Sequence, residues 1–302
     1  MRIIATEKQI YAGIMGLAVG DALGVPYEFR KRDTFKCEGM TGWGTHNQPP
    51  GTWSDDTSLT LATMASIVEC GKIDLNDIMR KFSLWYTANE FTAHGETFDC
   101  GNITAAAIFR FIVKGVGVHE CGGIGEMDNG NGALMRILPL TFVPVSYGEI
   151  NKITGLTHAH EISKKACRLY LCVAETILRG KPFRPLYTDR CIWGRYFSRV
   201  RDIWRLKRDE IKSSGYVVDT LEAALWCLYH TYNYKDCVLA AINLGEDTDT
   251  TAAVAGGLAG LLYGVGGEKG IPEEWINQIA RKEYIKELCE QLAEVGKNGI
   301  EV

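Results

Sequence analysis

The stretch Leu244–Val254, LGEDTDTTAAV, sets Asp247 and Asp249 among Thr248, Thr250 and Thr251, directly ahead of the apolar run Ala252–Leu262. Such residues can cap a helix, because their oxygens accept bonds from the free N–H groups of the first turn. Negative charge there also suits the helix dipole. A second Asp two residues on fits a buried helix start less well, since like charges repel unless a cation compensates them. Far upstream, WSDDTSLTLATM (Trp53–Met64) repeats the composition: Ser54, Asp55, Asp56 and Thr57 precede an apolar-periodic segment carrying Leu59, Ala62 and Met64. Neither stretch contains His or Cys. Hard oxygen donors without soft ligands suit Mg²⁺, Mn²⁺ or Ca²⁺ rather than Zn²⁺ or copper. If the fold joins the two starts, four carboxylates converge. That exceeds what one divalent ion usually needs and fits a two-metal site.

Further residues carry weaker signals. In TFDCGN (Thr97–Asn102), Asp99 reads as an ordinary turn residue. In GGIGEMDNGNGALMR (Gly122–Arg136), five glycines with Asn129 and Asn131 would let backbone N–H groups approach an anion. The Gly-Lys-Ser/Thr of a P-loop is absent, and a connector is the other reading. His158 and His160, in LTHAH, stand at a helix start as caps, as solvated imidazoles or as hydrogen-bonding partners of a polar ligand. Between Arg179 and Lys212 lie eleven Lys and Arg against four Asp and Glu, with Tyr196, Phe197 and Trp204 among them. An RNA-binding stripe is one reading; the acidic balance elsewhere favours a solvated helix face.

These residues sit on a chain of 302 residues, 46% hydrophobic and 23% charged, with a net charge of −4. That is a globular composition with ample core, and its charge gives no reason to expect nucleic acid. The N-terminus carries charges and glycines where a signal peptide would be apolar. No uninterrupted apolar run reaches membrane-spanning length, so no membrane partner is expected. Ten cysteines are scattered without a C-x-x-C pair, as expected for reduced thiols in a cytoplasmic protein.

The positioning elements are helical in period. Thr6–Leu23 opens on a capping box, Thr6 with Gln9. Its stripe is Ile10, Ile14 and Leu17, and Gly13, Gly16 and Gly20 form a close-packing face. Asp74 can cap Leu75–Ala88. Thr104–Lys114, His160–Arg179, Asp219–Tyr232, Lys235–Asn243, Thr250–Tyr263, Pro272–Ile279 and Lys282–Glu294 also read as helices. Strand alternation is sparse and no long linker appears. The expectation is one all-α domain, a compact helical bundle over residues 1–302.

Taken together the motifs resemble the ADP-ribosylglycohydrolase family, the group of the dinitrogenase-reductase-activating glycohydrolase. The resemblance runs through GIMGLAVGDALGVPYEF (Gly13–Phe29), WSDDTSLT (Trp53–Thr60), FDCGNIT (Phe98–Thr104) and DNGNGALMRILPL (Asp128–Leu140). It continues through THAH (Thr157–His160), GYVVDTLEAALW (Gly215–Trp226) and GEDTDTTAAVAGGLAGLLYG (Gly245–Gly264). Their joint order and spacing are what make it specific.

The resemblance implies an all-helical fold with two Mg²⁺ (or Mn²⁺) ions in a cleft, held by Ser54, Asp55, Asp56, Asp247, Asp249 and Thr250. Glu28 matches a glutamate beside the metals. Asp99 matches an acidic residue near the linkage in arginine-directed members. Asn129, Gly130, Asn131, Gly132 and Met135 belong to the segment that wraps ribose and diphosphate, and His158 matches a ligand-contacting histidine. Two departures stand out: Glu246 replaces a common Gly or Asp, and Ser54 replaces a common Thr. The expected activity is removal of ADP-ribose from modified arginine on a protein, with Glu28 or Asp55 transferring the proton and Asp99 orienting the guanidinium. The alternatives are a serine, O-acetyl or nucleic-acid-base linkage, or a non-catalytic ADP-ribose binder.

Overall fold

The computed structural model describes residues 4–181 and 196–298. Among them are eleven α-helices joined by loops and 3-10 turns, with isolated bridges and no strands. At the centre α1 (Glu7–Gly24) packs on α9 (Thr248–Tyr263), the most extensive helix pair. Both are apolar almost all round, the pattern of helices enclosed by others. By length and composition, residues 7–27 could cross a membrane, but 89% of the apolar 18-residue window within them is buried inside the protein. The expected capping box of α1 forms: the Gln9 amide donates to Thr6 Oγ1 at 3.3 Å, and the Thr6 amide donates to Gln9 Oε1 at 2.9 Å.

The glycine face of α1 explains the contact. A Cβ at Gly16 would stand 2.4 Å from the Gly256 carbonyl oxygen, and one at Gly20 would stand 2.2 Å from that of Ala252. From α9 the relation is mutual, with Gly260 against Ala12 and Gly256 against Gly16. Small residues on both helices let the backbones touch.

Around this pair lie α2 (Asp55–Cys70), α3 (Leu75–Ala88), α4 (Asn102–Ile112), α5 (Tyr147–Thr154), α6 (Glu161–Leu178), α7 (Val217–His230), α8 (Tyr234–Ile242), α10 (Glu273–Ile276) and α11 (Lys282–Asn298). Helices α7, α8 and α6 cover α9, whereas α11 bridges α1 and α2, and α3 and α4 extend outward from α2. One hydrophobic core unites them.

Several boundaries differ from the sequence expectation by about a turn. The segment Pro272–Ile279 forms only the single turn α10, and α9 begins at Thr248 rather than Thr250. Helix α5 is an addition: Ser146 and Glu149 make its capping box. The basic region is not a free stripe where it is described. Arg199 pairs with Glu222 at 3.0 Å, Arg208 pairs with Asp33 at 2.8 Å, and Phe197 is buried. The rest of that region, residues 182–195, lies outside the described residues. The nine described cysteines are free.

Candidate active site

The distant acidic segments meet. Helix α1 contributes Asp21, an anion in a helix that is otherwise apolar from Ala12 to Gly24. Its carboxylate accepts from the Ser54 amide at 2.9 Å, the Thr57 amide at 3.1 Å and the Thr57 hydroxyl at 2.6 Å. Asp21 thereby fastens the first turn of α2 to α1. Sequence reasoning gave it no role, although a lone Asp inside an apolar helix was a visible signal.

At the start of α2, Ser54 is the N-cap, and its Oγ accepts from the Asp56 amide at 3.3 Å. Asp56 Oδ2 accepts from Ser54 Oγ at 3.2 Å and from Thr250 Oγ1 at 3.1 Å. Asp249 Oδ1 accepts from the Thr250 amide at 2.9 Å, and Asp247 Oδ2 from Asn131 Nδ2 at 2.8 Å. The capping explanation therefore holds for Ser54. It fails for Asp247, which precedes α9 but whose side chain makes no capping bond.

What remains is informative. Asp56 Oδ1, Asp247 Oδ1 and Asp249 Oδ2 are buried, and no protein donor reaches them. Ligand oxygens of Asp21, Asp56 and Asp249 lie within 4.8 Å of one another, and so do those of Glu28, Asp247 and Asp249. Burial pushes Asp21 and Asp247 up to about 6 and Glu28 up to about 7, and raises Asp55, Asp56 and Asp249 well above the usual carboxylate range. Neighbouring carboxylates add to the shift in most of them. Buried anions without donors are costly unless paired or metal-bound. The oxygen-only donor set fits one or more hard divalent cations.

Beside this cluster opens a cavity of about 540 Å³, within the usual range for a small-molecule site. Glu28, Asp55, Asp247 and Thr250 line it from the acidic side. Asp99 faces it from irregular backbone, where the residue takes a left-handed φ of 55°; the site position is observed and a hydrogen-bonded turn is not. Gly130, Asn131, Gly132, Met135 and His158 form another wall. Asn129 does not line the cavity. Its side-chain Oδ1 accepts from Ser163 Oγ at 3.0 Å, which ties the glycine loop to α6, and its Nδ2 donates to the Glu126 carbonyl at 2.8 Å.

The two histidines divide their tasks. His160 caps α6. His158 is buried against the loop: a Cβ on Gly132 would lie 3.0 Å from its ring, and its Nδ1 pairs with Thr157 Oγ1 at 2.7 Å. Burial, with the charge of Arg136 as the lesser cause, pushes the imidazole down to about 3, so it is neutral at pH 7. Arg136, also overlooked in the sequence, is fully enclosed. Its guanidinium donates to the Gly132 carbonyl and, at 3.0 Å, to Thr157 Oγ1. It joins the glycine loop to the segment bearing His158. Glu246 occupies φ 62°, a conformation that glycine holds at least cost, so the residue that departs from the common Gly or Asp sits in strained backbone.

An all-α fold thus sets paired acidic helix starts beside a cavity of about 540 Å³. The sequence profile of the ADP-ribosylglycohydrolase family matches residues 3–300, and the chain belongs to that family. It is similar to the ADP-ribosylarginine hydrolase Tri1 of Serratia proteamaculans, with 33% identity over 92% of this chain and 77% of that one. It is also similar to the ADP-ribosyl-[dinitrogen reductase] glycohydrolase of Rhodospirillum rubrum, with 31% identity over 92% of each chain. A solved structure titled ADP-ribosylglycohydrolase-related protein complex superposes with a TM-score of 0.78 at 30% identity, covering 96% of this chain and 98% of that one.

Proposed function

We propose that this protein removes ADP-ribose from modified arginine side chains of a protein substrate, using two Mg²⁺ or Mn²⁺ ions. The observation that carries the reading is the convergence of Asp21, Asp56, Asp247 and Asp249, with three carboxylate oxygens left without donors, beside the cavity that Glu28 and Asp99 line. The relatives named for arginine-linked and protein-linked substrates support that linkage.

Ser54, Asp55, Asp56, Asp247, Asp249 and Thr250 would hold the ions, and Asp21 joins this set. Bound ions would supply Lewis-acid charge beside the anomeric carbon. Breaking the N-glycosidic bond builds positive charge on the sugar, as in an oxocarbenium ion. To Glu28 or Asp55, both lining the cavity, we assign proton exchange with water or a sugar hydroxyl. Asp99 pairs with the planar guanidinium fork and orients it as the leaving group. Gly130, Asn131, Gly132 and Met135 enclose the ribose and diphosphate, with neutral His158 contacting them and Asn129 bracing the loop. We assign the protein to the cytoplasm on its scattered cysteines without a C-x-x-C pair.

The experiment is incubation with arginine-linked, serine-linked and O-acetyl-linked ADP-ribose and an ADP-ribosylated nucleic-acid base, each with and without Mg²⁺ or Mn²⁺. Metal-dependent release from arginine alone supports the proposal. Release from another linkage in preference, or binding of ADP-ribose without turnover on any substrate, overturns it.

A further inference from the structure

Glu28 follows the short 3-10 turn Val25–Tyr27 in a turn of its own and belongs to no helix or strand. What holds it is the turn Gly42–Gln48, GWGTHNQ, to which sequence reasoning gave no role. Three consecutive residues of that turn grip the Glu28 segment. Gly44 lies so close to Pro26 that a Cβ would stand 2.0 Å from the Pro26 carbonyl oxygen. Thr45 donates its hydroxyl to the Glu28 carbonyl at 2.7 Å. His46 Nε2 hydrogen-bonds the Glu28 carboxylate itself.

The turn is wound tightly to deliver that contact. Gly42, Trp43, Gly44 and Asn47 all have positive φ, and for a bulky residue such as Trp43 this is an outlier that the surroundings must enforce. The Trp43 side chain is 55% exposed, so its own burial does not enforce it. The imidazole is flanked by aromatic rings, with centroids 6.0 Å away at Phe29 and 5.2 Å away at Phe98. One ligand atom each of Glu28, His46 and Asp99 fall within 4.8 Å of one another.

We propose that His46 is a positioning residue which aims the Glu28 carboxylate into the cavity and fixes it opposite Asp99, an inference that rests on the proton-transfer role given to Glu28 above. With hydrogen on Nε2, the ring donates to the carboxylate in either charge state. Phe29 and Phe98 keep the ring from turning away, and the Gly44–Pro26 contact sets the distance. The role belongs to the hydrogen bond rather than to metal ligation, and that distinction is measurable.

The test compares His46→Ala, His46→Gln, Glu28→Gln and the His46→Ala/Glu28→Gln pair. Loss of an orienting hydrogen bond at such a site costs ~10- to 100-fold in activity. The alanine variant should therefore lose kcat on ADP-ribosylarginine to that extent with KM little changed. Gln, whose amide nitrogen can replace Nε2, should recover most of it. The double variant should be no slower than Glu28→Gln alone, because a residue acting through Glu28 has nothing left to act on. Mn²⁺ affinity by calorimetry should be unchanged in His46→Ala. Additive losses, no rescue by Gln, or weakened Mn²⁺ binding would each overturn the proposal. A second readout needs no turnover: the ring ¹⁵N resonances of His46 should shift in Glu28→Gln, and an unmoved signal overturns the proposal by itself. Absent release of ADP-ribose from arginine by the wild-type protein would instead sink the proposed substrate.

Discussion

Gly24 lies so close to Asp249 that a Cβ added to it would stand 2.4 Å from the Asp249 Cα and 2.5 Å from its backbone nitrogen. The end of α1 is thus pressed on the first turn of α9, and the spacing of the acidic cluster depends on a missing methyl group. Gly24→Ala should force the backbones apart, destabilising the protein by ~1–3 kcal/mol. Thermal unfolding with and without Mn²⁺ checks it: the variant should melt lower and lose most of the metal-induced rise in Tm. A full metal response in this variant would show that the cluster tolerates the displacement.

Asp56 is the carboxylate that Ser54 and Thr250 both address, and its Oδ1 has no protein donor. Asp56→Asn removes one charge from a group of mutually repelling anions while keeping the shape. Without metal the variant should melt higher than wild type. With metal the order should reverse, and ADP-ribose release should fall by about two orders of magnitude or more, since loss of Lewis-acid charge costs several kcal/mol.

The metal-free protein should lose stability as pH rises. Burial holds Asp21 and Asp247 at about 6 and Glu28 at about 7, against ordinary values of 3.8 and 4.5. Folding therefore strengthens proton binding at these groups. The stability this confers is complete below about pH 4 and disappears as pH passes through 6 to 7. His158, pushed down to about 3, acts in the opposite sense below its ordinary 6.5, so the window from pH 6.5 to about 7.5, where Glu28 still gives up its proton, separates the two. In that window Tm should fall without metal, and the increment from Mg²⁺ or Mn²⁺ should grow as the ligands give up their protons. A metal-free Tm that climbs across the window would contradict this.

Asp99 separates linkage from chemistry. Asp99→Asn keeps the size of the side chain and removes the charge that pairs with guanidinium. Release from ADP-ribosylarginine should drop ~10- to 100-fold, as expected for losing a charged hydrogen bond of ~1.5–3 kcal/mol, whereas affinity for free ADP-ribose should hold. Kinetics on the arginine substrate beside calorimetry with ADP-ribose would reveal equal losses in both if Asp99 served the sugar instead.

Arg136 ties two walls of the cavity together through Gly132 and Thr157. Lys cannot donate in both directions as a rigid fork. Arg136→Lys should raise KM more than it lowers kcat and should cost ~1–3 kcal/mol of stability, the scale for leaving buried polar groups without partners. Denaturant unfolding and steady-state kinetics measure the two effects separately.

The chain's helices and its ligand chemistry were written locally. Caps such as Thr6 with Gln9 and Asp74 before α3 act within one turn, and the apolar period of each helix depends only on its own residues. The Ser54–Asp56 and Asp247–Thr250 segments likewise declare an oxygen-rich site by composition. Even the box at Ser146 and Glu149 that starts α5 was there to be read. What tertiary structure alone decided was the meaning of isolated polar residues. Asp21 acts on Ser54 and Thr57, Arg136 on Thr157, and His46 on Glu28, each across a separation in which no period or spacing links the partners. Asn129 shows the same limit from the other side, because its loop composition suits ligand contact while the packing of α6 claims its side chain. The physical reason is that a hydrogen bond is fixed by distance in space, and only close packing, here through the glycines of α1 and α9, sets which distant groups share that distance.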